Sequence, residues 1–413
     1  MPTGATLPLQ ASSLLPPTEL AARLRAGGGL VWLDTAVPDA ASLSILAAQP
    51  VEILEGNIFR DAALLRRVLQ QHQQPHVPDL GAPSGGLIGW VGFDGQFIFG
   101  VYPQCHVYQH GSGSWLDAVT ARTAASSATA PQRMTGTSLE LEPLMDKATF
   151  CGLVERAQQY ISAGDIYQVN LSYPWEGVWP ADLDPLAFYL RLRDVSPAPF
   201  AGYLDLAGMQ VCSASPECFL KMSGSHIVTR PIKGTRPRGV NRDADHRLAN
   251  ELVHSPKERA ELVMITDLER NDIGRVCEYG SVQVTQLLHL EKHAQVHHLV
   301  STVEGTLRPE VDQVEAFLAC FPGGSISGAP KKRALEIIHE LEPHERGLYT
   351  GAIGCFGFNG ESQFSIAIRT AWRRDGHMHF HTGAGIVADS DPVHEWEETR
   401  HKAAGLLAAA QGA

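Results

Sequence analysis

The sequence predicts a mixed fold, α/β or α+β, built on a large sheet whose strands run mostly antiparallel. Strand-like runs such as QVNLSY (168–173), SHIVTRPI (225–232), SVQVTQLL (281–288), FSIAIRTAW (364–372) and HMHFHTGAGIV (377–387) alternate with helical stretches. Several of them follow one another through short turns, which favours antiparallel pairing. The chain has 413 residues, of which 44% are hydrophobic, ample for one large domain or two smaller ones.

The elements can be justified in chain order. The N-terminal stretch MPTGATLPLQASSLLPPTEL has no basic segment followed by a continuous apolar one, so a secretory leader is not expected. QHQQPHVPDLGAPSGG (71–86) reads as a loop. LIGWVGFDGQFIFGVYP (87–103) is dense in aromatic and β-branched residues and reads as strands. TARTAASSATAPQRMTGTS (120–138) is rich in Ala, Ser and Thr without periodicity and reads as a linker. Ser255-Pro256-Lys257-Glu258 opens a helix running through Glu261 towards Leu268: N-cap serine, proline at the first helical position, glutamate at the third. Asp391-Pro392 opens a second, with Val393, Trp396, Ala403 and Leu407 as its apolar face.

Bulk properties exclude some functions. A net charge of −12 argues against nucleic-acid binding through the overall field. No run approaches ~18 consecutive apolar residues, so no membrane span is expected. The seven cysteines are scattered and form no CxxC, which fits a reduced, cytoplasmic protein.

Six stretches carry possible chemistry. Glu258 and Glu261 lie on one predicted helix, and Glu395 and Glu398 on the other, each pair at i, i+3 and so on one face. Two such faces opposed would make an oxygen-rich site suited to Mg²⁺, although charged faces more often simply meet water. FPGGSISGAPKK (321–332) has Gly323 and Gly328 at P-loop spacing, but Ala329 and Pro330 replace the required lysine. No nucleoside triphosphate is implied, and the glycines instead allow backbone amides to approach an anion. Gly383-Ala384-Gly385 lacks the third glycine of a dinucleotide fingerprint and reads as a strand bend or a close backbone approach to a ligand. His289, His293 and His297 recur every four residues, but Leu290 stands where a zinc protease needs glutamate. His298 is a candidate acid or base. Lys233, in RPIKGTRPRG (230–239), sits where an apolar run breaks; most such lysines only snorkel to water.

Taken together, DIYQVNLS (165–172), SASPECFL (213–220), RPIKGTRPRG, RAELVMITDLERNDIGRV (259–276), VHHLVSTVEGTL (296–307), FPGGSISGAPKKRALEII (321–338), SIAIRTA (365–371) and GAGIVADSDPVHEWEETRHKAAGLL (383–407) occur in an order that resembles the chorismate-utilising enzymes. That group includes anthranilate, aminodeoxychorismate, isochorismate and salicylate synthases. The resemblance implies an α+β fold of large, mostly antiparallel sheets packed face to face as a sandwich, with helices outside. It divides the chain into a non-catalytic region, 1–143, either separate or interleaved, and a chorismate-binding catalytic domain, 144–413. WLDTAVPDAASLSILAAQP (32–50) and GLIGWVGFDG (86–95) resemble the first region of aminodeoxychorismate synthases. Anthranilate synthases usually carry LLES near Trp32–Thr35 as part of a tryptophan feedback site, so such inhibition is not expected.

Within the group, anthranilate synthases typically read PIAGT where this chain reads PIKGT, the form common in aminodeoxychorismate synthase component I. Isochorismate and salicylate synthases place a water-activating lysine where this chain has Gln168. The resemblance therefore implies amination of chorismate at C4 through a covalent adduct on Lys233. A lysine nucleophile must be uncharged, which for an ordinary amine of pKa ~10.4 costs roughly 4–5 kcal/mol at pH 7. Splitting the displacement in two is what the adduct offers in return.

By the same resemblance Glu217 is the general acid and His298 matches the family's proposed base. Glu261 and Glu398 bind Mg²⁺, with Glu258 and Glu395 reaching it directly or through water. Arg369 and Tyr349, aided by the amides of Gly383, Ala384 and Gly385, hold the pyruvyl carboxylate. Lys402, Thr235, Ser325 and Gln168 complete the substrate site. No amidotransferase region is present in the sequence, so ammonia comes from solution or, as the family implies, from a separate glutamine amidotransferase subunit. Two rivals are anthranilate synthase component I and a catalytically idle amidotransferase partner.

Overall fold

The structure is a computed structural model that describes residues 15–37, 42–76, 81–116, 138–292 and 296–412. The sequence's first 14 residues, the expected linker apart from Ser138, and His293 lie outside the described residues. Two antiparallel sheets pack face to face. In the first, the strand order is Gly328–Ala329, Gln168–Val178, His377–Ile386, Thr370–Arg374, Met209–Ser215, Phe200–Leu206, Val31–Asp34, Leu43–Ala47, His106–Gln109, Ser114–Trp115. In the second it is Ile232–Pro237, Val296–Thr306, His226–Arg230, Cys218–Ser223, Glu361–Ile366, Ala352–Gly357, Gly86–Val91, Gln96–Tyr102, Glu52–Asn57. Two further strands join them, the short Glu142–Pro143 beside Gln168–Val178 in the first and the ten-residue Gln283–Lys292 beside Val296–Thr306 in the second.

Period-two alternation builds the layers. Val31 and Leu33 point into the core between the sheets, where they meet Ile88, Trp90 and Ile353 of the opposite sheet. Leu30 and Trp32, one position over, point outward under the helices Lys147–Ser162, Pro185–Val195 and Pro392–Ala410. On the far side Leu87, Val91, Phe97 and Phe99 pack beneath Ile58–Gln71 and Gln313–Cys320. The result is helix, sheet, sheet, helix, the α+β sandwich expected. Strands from before and after residue 143 share both sheets: Val31 pairs with Leu204, and Gly89 with Gly354. Among the described residues no helix is long and apolar enough to cross a membrane.

Both signalled helix starts form. The Ser255 hydroxyl accepts the Glu258 amide hydrogen at 3.4 Å, and the helix runs Pro256–Gly274, beyond Leu268. Asp391 caps Pro392–Ala410 by accepting from the His394 amide. The apolar face of that helix differs from the expected one: Val393 is exposed, while Glu395, Thr399, Ala403 and Leu406 are buried. A pattern of apolar residues misses a face that includes a buried carboxylate.

FSIAIRTAW is not one strand. The chain leaves the second sheet after Ile366 and enters the first at Thr370, with Arg369 at the crossing in a left-handed conformation, φ 49°. Met209–Ser215 and Cys218–Ser223 cross between the same two sheets, with Pro216-Glu217 at the bend. These two neighbouring crossings open the sandwich at one end.

Candidate active site

A cavity of about 480 Å³ lies at that opening. Glu217 and Arg369 reach it from the crossings, Lys233 and Thr235 from an edge strand, and Tyr349 from the loop before Ala352–Gly357. Gly383 and Gly385 reach it from His377–Ile386, and Glu258, Glu261, Glu395, Glu398 and Lys402 from the two capped helices. His298 and Ser325 complete the expected residues on its wall. A larger cavity of about 840 Å³ lies on the other side of Pro216 and Ile232 and holds none of the expected site residues.

The edge strand presents Lys233 through a bulge. Register against Val296–Thr306 shifts between Lys233 and Thr235, across Gly234 at φ 78°. Glycine is required there: a Cβ would sit 2.6 Å from Leu252 and 3.0 Å from the Glu258 carboxyl. Lys233 Nζ lies 3.7 Å from Glu261 Oε2. Gly385 is packed closely as well: a Cβ would lie 2.7 Å from Gln168 Nε2 and 3.4 Å from Lys233 Nζ, so a side chain there would displace both. Gln168 itself is fully buried behind it, and neither amide atom has a hydrogen-bond partner. Thr235 Oγ1 lies 2.9 Å from His298 Nδ1. The preceding His297 points the opposite way, to Asp245 at 2.9 Å.

Burial pushes the Glu217 carboxyl up to about 7, against the opposing pull of a Ser325 hydrogen bond, the Lys233 charge and the Ile232 amide. A carboxyl so placed keeps its proton near neutrality. Burial works on Arg369 in the opposite direction, and its guanidinium has no ion pair or hydrogen-bond acceptor among the described residues. A half-buried cation without an anion, facing a cavity, marks a place for an anionic ligand. Tyr349 stacks at 5.4 Å on His381, whose imidazole burial and then Arg346 push down to about 3. His381 is therefore neutral, and its Nδ1 lacks a partner.

The four glutamates face the cavity beside four cations. Glu258 lies 3.6 Å from Arg236, Glu261 near Lys233, Glu395 3.4 Å from Lys257, and Glu398 2.6 Å from Lys402. Lys402 also donates to the Gly383 carbonyl at 2.9 Å. Burial raises Glu261, and neighbouring Glu258 and Glu398 add to the rise while Lys233 and Lys257 oppose it. Glu395 is likewise raised by burial and by Glu398, while at the more exposed Glu398 the lysines, Lys402 first, outweigh desolvation and lower it. The donor chemistry fits Mg²⁺: hard carboxylate oxygens whose mutual repulsion a cation would relieve. Among the described residues no three His, Cys, Asp or Glu side chains converge on one point, so these carboxylates form a lined wall and not a closed cluster.

Two expectations shift. Ala384 does not line the cavity; its methyl lies in the outer core beneath the helices, because it alternates with Gly383 and Gly385. The glycine-rich stretch 321–332 does present an amide to an acceptor, but the acceptor is the protein's own carboxyl: the Gly324 N–H donates to Glu269 at 2.8 Å. Sequence reasoning missed His381, Asn170, Lys257 and Arg236, all on the cavity wall. Lys257 and Arg236 stand inside motifs already singled out. His381 and Asn170 gave no signal beyond their place in strand runs.

The chorismate binding enzyme family matches residues 61–408. Aminodeoxychorismate synthase component 1 of Bacillus subtilis is 36% identical, covering 97% of this chain and 95% of that protein. Anthranilate synthase component 1 of Thermus thermophilus is 46% identical over 281 residues, 68% of this chain and 60% of that protein. The crystal structure of anthranilate synthase component I from Streptococcus pneumoniae superposes with a TM-score of 0.79 at 29% identity, covering 98% of this chain and all of that one. The chain belongs to the chorismate-binding enzyme family.

Proposed function

We propose that this enzyme aminates chorismate at C4, as an aminodeoxychorismate synthase component I, with ammonia delivered by a separate glutamine amidotransferase subunit. The observation that carries the reading is Lys233, held on the cavity wall in the electrostatic field of a buried acid, Glu217. In this reading Lys233 Nζ bonds to C2 of the ring as the C4–O bond breaks. Glu217 protonates the departing oxygen, which leaves as water. Ammonia then bonds to C4 as the C2–N bond breaks and the lysine is returned. Arg369 and Tyr349 hold the pyruvyl carboxylate, and the Gly383 and Gly385 backbone allows the substrate to approach closely. Glu261 and Glu398, supported by Glu258 and Glu395, would hold Mg²⁺, which supplies positive charge to the ring carboxylate. His298, bonded to Thr235, lines the ring side of the cavity.

The 46% identity to an anthranilate synthase over 281 residues favours a second reading, release of an aromatic product and pyruvate. Mass spectrometry of products from chorismate, Mg²⁺ and ammonium salt separates the two. A product that keeps the enolpyruvyl group and exchanges hydroxyl for amine is expected, and Lys233→Ala should abolish it. Anthranilate and pyruvate would establish the second reading. No consumption would indicate an idle amidotransferase partner, and an undiminished Lys233→Ala would remove the lysine from the chemistry.

A further inference from the structure

Glu269 lies outside the cavity, on Pro256–Gly274, and is 2% exposed. One carboxylate oxygen accepts the Gly324 amide hydrogen at 2.8 Å, and the other has no partner. The nearest cation does not satisfy it. Lys331 spends its three donors on Asp272, on the Cys320 carbonyl at 2.9 Å and on the Pro322 carbonyl at 2.7 Å. A buried carboxyl with a vacant oxygen is costly, so its retention calls for an explanation.

What it holds supplies one. Gly324 is the first residue of the short turn Gly324–Ile326, and the next residue, Ser325, shares the cavity wall with Glu217, where its hydroxyl eases ionisation of that carboxyl. The turn is seated tightly: a Cβ on Gly324 would lie 2.6 Å from Leu268 and 3.0 Å from the Glu269 carboxylate. We propose that Glu269 is a positioning residue for the acid, fixing the Gly324–Ser325 turn so that the serine hydroxyl meets Glu217, and acting on Glu217 through its charge. This inference rests on Glu217 being the acid of the proposed reaction.

The electrostatics support the geometry. Burial raises Glu269 to about 7, with Lys331 opposing, Asp272 adding, the Gly324 amide opposing and Glu217 adding. Glu217 faces Ser325, Lys233 and the Ile232 amide. The thiols of Cys320 beside Glu269 and Cys218 beside Glu217 are both raised by burial and stay neutral. The Glu217 charge is the smallest of the causes at Glu269, and such a coupling is reciprocal, so removing the Glu269 charge eases ionisation of Glu217.

The test uses the full chain, with kcat and KM for chorismate amination followed across pH. Glu269→Gln keeps an oxygen for the Gly324 amide and removes the charge. It should leave KM within about twofold and move the alkaline limb of kcat to lower pH by half a unit or more, since Glu217 then loses its proton more readily. Glu269→Ala should lower kcat at least tenfold with KM within threefold. If that variant fails to fold, Gly324→Ala disturbs the same contact and should behave alike. A Glu269→Gln profile that overlays the unmodified enzyme, together with kcat within twofold for Glu269→Ala or Gly324→Ala, would overturn the proposal. Glu217→Gln distinguishes the two levels. If it is inactive, a failure at Glu269 leaves the proposed reaction standing; if it is fully active, the acid has been misassigned and both ideas fall.

Discussion

At the scale of single residues, Arg369 is the group whose surroundings say most. Its backbone occupies a left-handed conformation, costly for a side chain of this size, and its half-buried guanidinium has no acceptor among the described residues. A carboxylate arriving there would supply the missing acceptor. Charge-assisted hydrogen bonds contribute roughly 1.5–3 kcal/mol each, so Arg369→Ala should raise KM for chorismate by about 10- to 100-fold. Arg369→Lys should recover only part, because an ammonium cannot make the two parallel bonds of a planar fork. A KM unchanged in both variants would place the carboxylate elsewhere. The sequence made Arg369, Lys233 and the glutamates legible because they sit in motifs whose order is itself informative. It left His381 and Glu269 illegible. Their significance comes from what surrounds them in space, a stacked tyrosine in one case and an amide 55 positions away in the other.

At the scale of elements, the helix starts carry the glutamate pairs. Ser255 fixes the first turn that presents Glu258, and Glu261 follows one turn later. Loss of an N-cap hydroxyl costs about 1 kcal/mol. Ser255→Ala should therefore lower the urea-unfolding free energy by about that amount and raise the Mg²⁺ concentration needed for half-maximal activity. Stability reduced with an unchanged metal titration would separate the cap from the metal. Element types were largely readable from period and caps, but changes of sheet were not. Phe364–Trp372 keeps the composition of one strand while its two halves belong to different sheets, because β-propensity says nothing about which neighbours a strand finds. The face of Pro392–Ala410 was misjudged at Val393 for a related reason: that helix turns a glutamate inward to the cavity.

At the scale of the whole molecule, the buried acids in and behind the site should be visible in stability. Glu217 and Glu269 are both held near 7, above the ordinary 4.5, so between those pH values the folded chain keeps protons that the unfolded chain releases. Their contribution is present below about pH 4.5 and is lost as pH rises through about 7. His381, pushed down to about 3, acts the other way up to its ordinary 6.5, because there only the unfolded chain takes its proton. Two protons against one leave a net loss of about 1.4 kcal/mol per pH unit from these three groups. The unfolding free energy should accordingly decline from pH 5 to pH 7, and Glu269→Gln should flatten the decline. An equally steep fall in that variant would assign the proton to another group.

The two crossings that open the sandwich also tie the acid and the guanidinium to separate seams of the same joint. A small dianion gripped by both would act as a rivet between the layers. Its arrival would stiffen backbone far from any atom it touches, and its departure would let the halves breathe.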